Sequence, residues 1–277
     1  MKTVTLPSGE KIPALGLGTW NMGDDRAARA DELSALRLGI ERGLTLIDTA
    51  EMYGDGRSES LVGEAIRGLR DKVFLVSKVL PGNASRRGTL AACERSLKRL
   101  DTDCIDLYLL HWRGNVPFAE TLEALVSLQA AGKIRHFGVS NLDLTDLQEF
   151  VDCDGGAGVA TNQLLYNLSR RGIEWELLPW LRARRIPVMA YSPLEQARLL
   201  THPGLQKYAK SIGKTAAQIA LAWLLAQDEV IAIPKTGSRA RVLENAGALE
   251  FEIGATQRAE LEKLFKPPTA ASALEML

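Results

Sequence analysis

The chain has 277 residues, 46% of them hydrophobic and 25% charged, enough to bury a large core without help from disulfides or metal. Its 34 basic and 34 acidic residues cancel, which argues against nucleic-acid and membrane-surface partners, since both draw on a basic excess. Cys93, Cys104 and Cys153 are too scattered for a disulfide framework or a zinc site. With no apolar leader in Met1–Pro13 and no bilayer-length apolar run, a soluble cytoplasmic protein is expected.

The first predicted element is a hairpin, Val4-Thr-Leu6 and Lys11-Ile-Pro13 around a Pro7-Ser-Gly9 turn, expected to close one end of the fold. Eight short apolar runs follow: Leu15–Thr19, Leu44–Asp48, Val73–Lys78, Ile105–His111, Ile134–Ser140, Val159–Gln163, Pro187–Tyr191 and Val230–Pro234. Most are near-continuous in apolar residues, as strands buried on both faces should be; Ile134–Ser140, with Arg135 and His136, is the weakest. Between them lie segments of helical period. Pro117 and Gly132 bracket one helix, and Thr215-Ala-Ala-Gln218 reads as a capping box at the head of another.

Such alternation predicts a parallel α/β fold, either a doubly wound sheet or a closed barrel. Eight units in this length, without a linker, favour a single (β/α)8 barrel (TIM barrel) domain over residues 1–277.

In such barrels the chemistry sits at the C-terminal strand ends. Here those ends carry Thr19 and Trp20; Asp48 and then Tyr53; Lys78; His111 and Trp112; Ser140 and Asn141; Gln163; Tyr191 and Ser192; and Lys235 to Ser238. Singly each has a plain structural explanation: a capping acid, a solvated lysine, a core histidine. Together an acid, a phenol, an amine and an imidazole make a proton-donating set. An ammonium beside a phenol is expected to lower its pKa, a carboxylate holds the ammonium, and an imidazole orients a carbonyl oxygen. That is the logic of carbonyl reduction, with Tyr53 as general acid, and it needs a hydride donor.

No Rossmann fingerprint or Walker loop is present: Gly16-Leu-Gly18-Thr-Trp-Asn21 lacks the third glycine and reads instead as a tight strand end. The loop after the eighth strand, Lys235-Thr236-Gly237-Ser238 followed by Arg241, is a candidate phosphate site, though a solvated polar loop explains it about as well. Tyr191 offers a flat face for a nicotinamide ring.

These residues resemble the aldo-keto reductase family. The resemblance rests on Gly16–Trp20, Leu46-Ile-Asp48-Thr-Ala-Glu-Met-Tyr53-Gly, Lys78, Asp106–Trp112, Lys133–Asn141, Asn162-Gln163, Tyr191-Ser-Pro-Leu194 and Ile233-Pro-Lys235-Thr, and it spans about Val4 to Leu264. It implies a catalytic set of Asp48, Tyr53, Lys78 and His111. It also implies an NADPH site from Gly18, Thr19, Trp20, Asp48, Ser140, Asn141, Gln163, Tyr191, Ser192, Pro193 and Leu194, continuing to Lys235, Thr236, Gly237, Ser238, Arg241, Glu244 and Asn245, with no metal.

The short bacterial members of the methylglyoxal-reducing type are the nearest in character, which implies small aldehydes and dicarbonyls as substrates and a monomer as the common state. Substrate contacts are expected from Trp20, Met22, Tyr53, His111 and Trp112, with Phe118 as a further rim candidate. The brief Arg113–Phe118 loop and the short segment 266–277 imply an open pocket. Two other readings remain on the sequence: a barrel that holds NADPH while regulating a partner, and a Schiff-base aldolase acting through Lys78.

Overall fold

The computed structural model describes residues 2–277. The hairpin is present: β1 (Thr3–Thr5) pairs antiparallel with β2 (Lys11–Pro13), and Gly9 takes the positive φ of +90° that its turn needs. Val4, Leu6 and Ile12 point into the core. On the outer side the Glu10 carboxylate accepts hydrogen bonds from Arg135 and His136, which open the strand β7 (Ile134–Ser140). The hairpin therefore plugs the N-terminal end of the parallel strands.

Those strands are β3 (Leu17–Gly18), β4 (Leu46–Asp48), β5 (Phe74–Val79), β6 (Ile105–Leu110), β7, β8 (Asn162–Leu165), β9 (Val188–Tyr191) and β10 (Val230–Ala232), each hydrogen-bonded to the next in chain order. The first also meets the last. Leu15 and Gly18 make parallel bridges to Ala232 and Lys235. Backbone bonds from Gly16 N to Ala232 O at 2.9 Å and from Ala232 N to Ala14 O at 2.8 Å join the edges, so the sheet is a closed (β/α)8 barrel. A Cβ on Gly16 would lie 2.6 Å from the Leu46 side chain, and one on Gly18 2.8 Å from Ile233 O. The Gly-Leu-Gly run is the closing seam.

The helices are α1 (Arg29–Glu41), α2 (Arg57–Ile66), α3 (Arg86–Leu100), α4 (Phe118–Ala130), α5 (Leu144–Asp152), α6 (Leu177–Ala183), α7 (Pro203–Ser211), α8 (Ala216–Leu225), α9 (Arg239–Ala246) and α10 (Ala255–Leu264). The Thr215–Gln218 capping box heads α8 with both of its hydrogen bonds made. Pro117 stands at the cap position of α4, one residue ahead of its expected place, and Gly132 turns the chain at φ +70° two residues after the helix. No helix among the described residues is long and apolar enough to cross a membrane.

Seven of the eight strands differ in extent from their apolar runs, most by one or two residues at an end, and two of the differences have a clear cause. The eighth stops at Ala232, since Pro234 has no N–H to donate. The sixth is regular only from Asn162, although Ala160 N already bonds Phe137 O, and it continues through Leu165 because Leu164 and Leu165 pair with Ala190 and Tyr191.

Candidate active site

Lys78 is the penultimate residue of strand β5, and its neighbour β4 ends on Asp48; the parallel register lays these two strand ends side by side. Both side chains are buried, and Lys78 Nζ meets Asp48 Oδ2 at 2.8 Å. The same ammonium donates to Thr49 O at 2.8 Å and contacts the Tyr53 hydroxyl at 3.2 Å. The other Asp48 oxygen, Oδ1, accepts from Gln163 Nε2 at 2.7 Å. Thr19 Oγ1, itself receiving a bond from Ser58 at 2.8 Å, donates to the Asp48 backbone carbonyl at 2.9 Å. The carboxylate is thus held on both oxygens and in its backbone. His111, at the end of β6, sets its ring edge-on to Tyr53 with centroids 5.9 Å apart.

The protonation states follow from burial and from this contact set. Burial alone would lower the Lys78 pKa, but Asp48 and Tyr53 outweigh it and hold the amine above its usual value. For Tyr53 the expected depression is overturned. Burial raises the phenol, Asp48 adds to the rise, and Lys78 only partly offsets them. His111 is drawn down to about 2, first by burial and then by the neighbouring ammonium. It is a neutral imidazole at any working pH. Its buried Nδ1 has no partner, and because a buried orphan N–H is costlier than a buried orphan acceptor, the tautomer with the proton on Nε2 is favoured.

Asp48, Tyr53 and His111 open onto a cavity of about 590 Å³ across the barrel mouth, with Lys78 fully buried behind its wall. Its wall brings together Gly18, Thr19, Trp20, Asp48, Tyr53, His111 and Trp112 at one side, with Ser140, Asn141, Gln163 and Tyr191 beneath. It then passes Ser192, Pro193 and Leu194 to reach Lys235, Thr236, Arg241, Glu244 and Asn245. Tyr191 is pinned by its hydroxyl, which donates to Asn141 Oδ1 at 3.0 Å, so its ring is presented as a fixed face. Lys235 and Arg241 make no salt bridge among the described residues, although this chain pairs most of its buried acids. Thr236 Oγ1 accepts from Ser238 N at 3.1 Å, shaping the turn into α9.

Several expected contacts fall elsewhere. Met22 is fully buried and lies outside the cavity wall, because its backbone N–H bonds back to Thr19 O at 3.0 Å and turns the side chain into the core. Phe118 packs on Phe150 under the Arg113 guanidinium and is no rim residue. Gly237 and Ser238 stand behind the wall, in the turn.

Other wall residues carry no local sequence signal. Met52 lies one residue before Tyr53, and Gln196 and Ala197 follow β9. Met276 and Leu277 belong to the segment expected to leave the pocket open; instead it folds back over the mouth, and Leu277 N reaches the Tyr191 hydroxyl at 3.4 Å. The run after β9 is strained as well: Ser192, Glu195, Gln196 and Ala197 have φ of +49°, +52°, +50° and +70°. Each costs roughly 1–2 kcal/mol for a residue with a Cβ.

A closed parallel barrel that buries an ammonium against a phenol at its mouth, beside a long cavity with free cations at the far end, defines a class: a cofactor-dependent oxidoreductase barrel. A model of the Aldo/keto reductase family matches residues 14–266, and the chain belongs to that family. The methylglyoxal reductase YeaE of Escherichia coli is 50% identical over 281 residues, covering 100% of this chain and 99% of that protein. The glyoxal reductase of Bacillus subtilis is 34% identical over 267 residues, covering 95% of this chain and 93% of that one. An aldo/keto reductase from Klebsiella pneumoniae, solved in complex with NADP and acetate, has a TM-score of 0.97 at 50% identity and covers 100% of this chain; 99% of that chain is matched.

Proposed function

We propose that the protein reduces small aldehydes and dicarbonyls of the methylglyoxal kind to alcohols, with NADPH as reductant and Tyr53 as proton donor. The observation that carries this is the contact of Lys78 Nζ with both Asp48 and the Tyr53 hydroxyl in the wall of one long cavity.

The donor set fits a nicotinamide dinucleotide phosphate. Tyr191 supplies a flat face, Ser140, Asn141 and Gln163 supply hydroxyl and amide groups beside it, and Lys235, Arg241 and the first turn of α9 offer cations and backbone N–H groups for a phosphate. When bound, the cofactor supplies the hydride. The rest is the work of this chain. His111 Nε2–H and the Tyr53 hydroxyl converge on the place of a carbonyl oxygen, and Tyr53 delivers the proton as that oxygen gains charge. Lys78, kept charged by Asp48, stabilises the phenolate that remains. Trp20, Met52 and Trp112 line the reacting end with apolar surface.

Lys78 is spoken for by this network and held protonated, which disfavours a Schiff-base role. The same reading takes the chain as one barrel domain, monomeric and cytoplasmic, with a small carbonyl compound as partner and no nucleic acid.

The test is NADPH consumption by the purified protein with methylglyoxal, beside Tyr53→Phe. Turnover should fall by roughly 10²–10⁴-fold in the variant with NADPH affinity unchanged. Because Tyr53 is raised and His111 lowered, turnover should stay level through neutral pH and fall only on the alkaline side, as the phenol loses its proton. A variant as active as the wild type would remove Tyr53 from the mechanism.

A further inference from the structure

Outside the catalytic set, one charged cluster joins two segments whose neighbouring residues line the cavity. Glu195 is buried, yet it sits in the strained run after β9 whose neighbours Gln196 and Ala197 face the cavity. Its Oε1 meets the Arg170 guanidinium at 2.8 Å, and its Oε2 accepts from Asn167 Nδ2 at 2.8 Å. Asn167 Nδ2 also donates to Ser192 O at 2.9 Å, in the same run. Arg198 adds a longer contact to Glu195 at 3.3 Å. The other prong of the Arg170 fork, Nη1, binds Glu275. One residue further on, Met276 and Leu277 enter the cavity wall.

We propose that Arg170 is a positioning residue that couples cofactor retention to the shape of the aldehyde rim. Resting on the reductase reading above, it assigns to a single guanidinium two jobs that the fold otherwise keeps apart. A run of non-glycine residues at positive φ persists only where surrounding contacts over-determine it, and the contacts here converge on the Glu195 carboxylate. Arg170 neutralises that buried charge, so the run stays pressed along the cofactor side of the cavity. With its second prong it ties down the segment 266–277 and so places Met276 and Leu277 at the substrate side. The planar fork is what allows both grips at once; a lysine has the charge without the second prong.

The experiment measures NADPH dissociation constants by fluorescence, and KM and kcat for methylglyoxal and for a bulkier aromatic aldehyde. The variants are Glu275→Gln, Arg170→Leu, Arg170→Lys and the double variant Arg170→Leu/Glu275→Gln. Each is first checked for wild-type circular dichroism and melting behaviour. Glu275→Gln should change KM for the bulky aldehyde at least fivefold, with kcat and NADPH affinity within twofold of wild type. Arg170→Leu should reproduce that KM change and also weaken NADPH about tenfold, and adding Glu275→Gln should then change nothing further. Arg170→Lys should stay on the buried Glu195, recovering NADPH affinity without recovering KM.

Effects of Arg170→Leu and Glu275→Gln that multiply in the double variant would overturn the coupling. NADPH affinity within twofold of wild type in a folded Arg170→Leu protein would overturn the grip on the cofactor side. A wild type that binds NADPH yet reduces neither aldehyde would sink the reductase reading instead, and the NADPH constants would still decide the role of Arg170.

Discussion

The two ends of the barrel are both rich in charge and treat it in opposite ways. At the plugged end Asp106 and Glu10 are both answered: Asp106, at the start of β6, accepts from Leu75 N at 2.8 Å and pairs with Arg70 at 2.8 Å and Arg135 at 2.7 Å, and Glu10 bonds Arg135 and His136. At the mouth Lys235 and Arg241 have no ion-pair partner among the described residues, the backbone is strained and Trp20 is exposed. One end spends its polar groups on holding the hairpin; the other keeps them available.

The contrast is sharpest for buried charge. Removing Lys78 by Lys78→Met leaves Asp48 buried without its counter-ion, so both properties should suffer. Turnover should be nearly abolished and stability should fall by about 3–5 kcal/mol, read from denaturant unfolding. Asp106→Ala should lose about 2–3 kcal/mol of stability, since a buried backbone N–H and two guanidinium groups lose their acceptor, while kcat stays at the wild-type value. A loss of turnover there, in protein that is still folded, would break the division of labour between the two ends.

At the far end of the cavity, Arg241→Ala should weaken NADPH about tenfold and leave NADH unchanged, with no effect on melting, as measured by titration with each cofactor. Equal weakening of both cofactors would place Arg241 away from the extra phosphate.

The smallest effect belongs to the hairpin. Burial raises the Glu10 carboxyl, but its bonds to His136 and Arg135 prevail and its pKa is lowered on folding. A lowered folded-state pKa means the contribution is present above the ordinary carboxylate range and is lost as pH falls through the folded value. Glu10→Gln should therefore cost under about 1 kcal/mol at neutral pH, a gap that closes in acid, as followed by melting curves against pH.

Much of this was legible in the chain. The closing residues of the apolar runs named the polar wall, because in a barrel the strand ends must converge whatever lies between them. The hairpin and the Thr215 capping box were readable from turn and cap chemistry alone. Met22 was misread because a two-residue turn decides which way a loop side chain points, and no periodicity records it. Met276 and Leu277 were missed for a different reason. Their place depends on an ion pair between Arg170 and Glu275, far apart in sequence, and neither residue marks itself locally. The Tyr53 shift went the other way because burial, which no spacing reveals, outweighed the visible lysine.

The seam that closes the barrel sets an order of assembly. Asp48, Tyr53, Lys78 and His111 lie in the first half of the chain, whereas β10, Lys235 and Arg241 come near its end, and the seam to β3 is made by backbone bonds of Gly16, Gly18 and Ala232. Contacts between such distant segments form late, after the loop entropy between them has been spent. A chain emerging from the ribosome thus carries Tyr53 and its buried partners well before it carries Lys235 and Arg241, the far end of the cavity. The cavity wall is complete only when the last strand docks against the first.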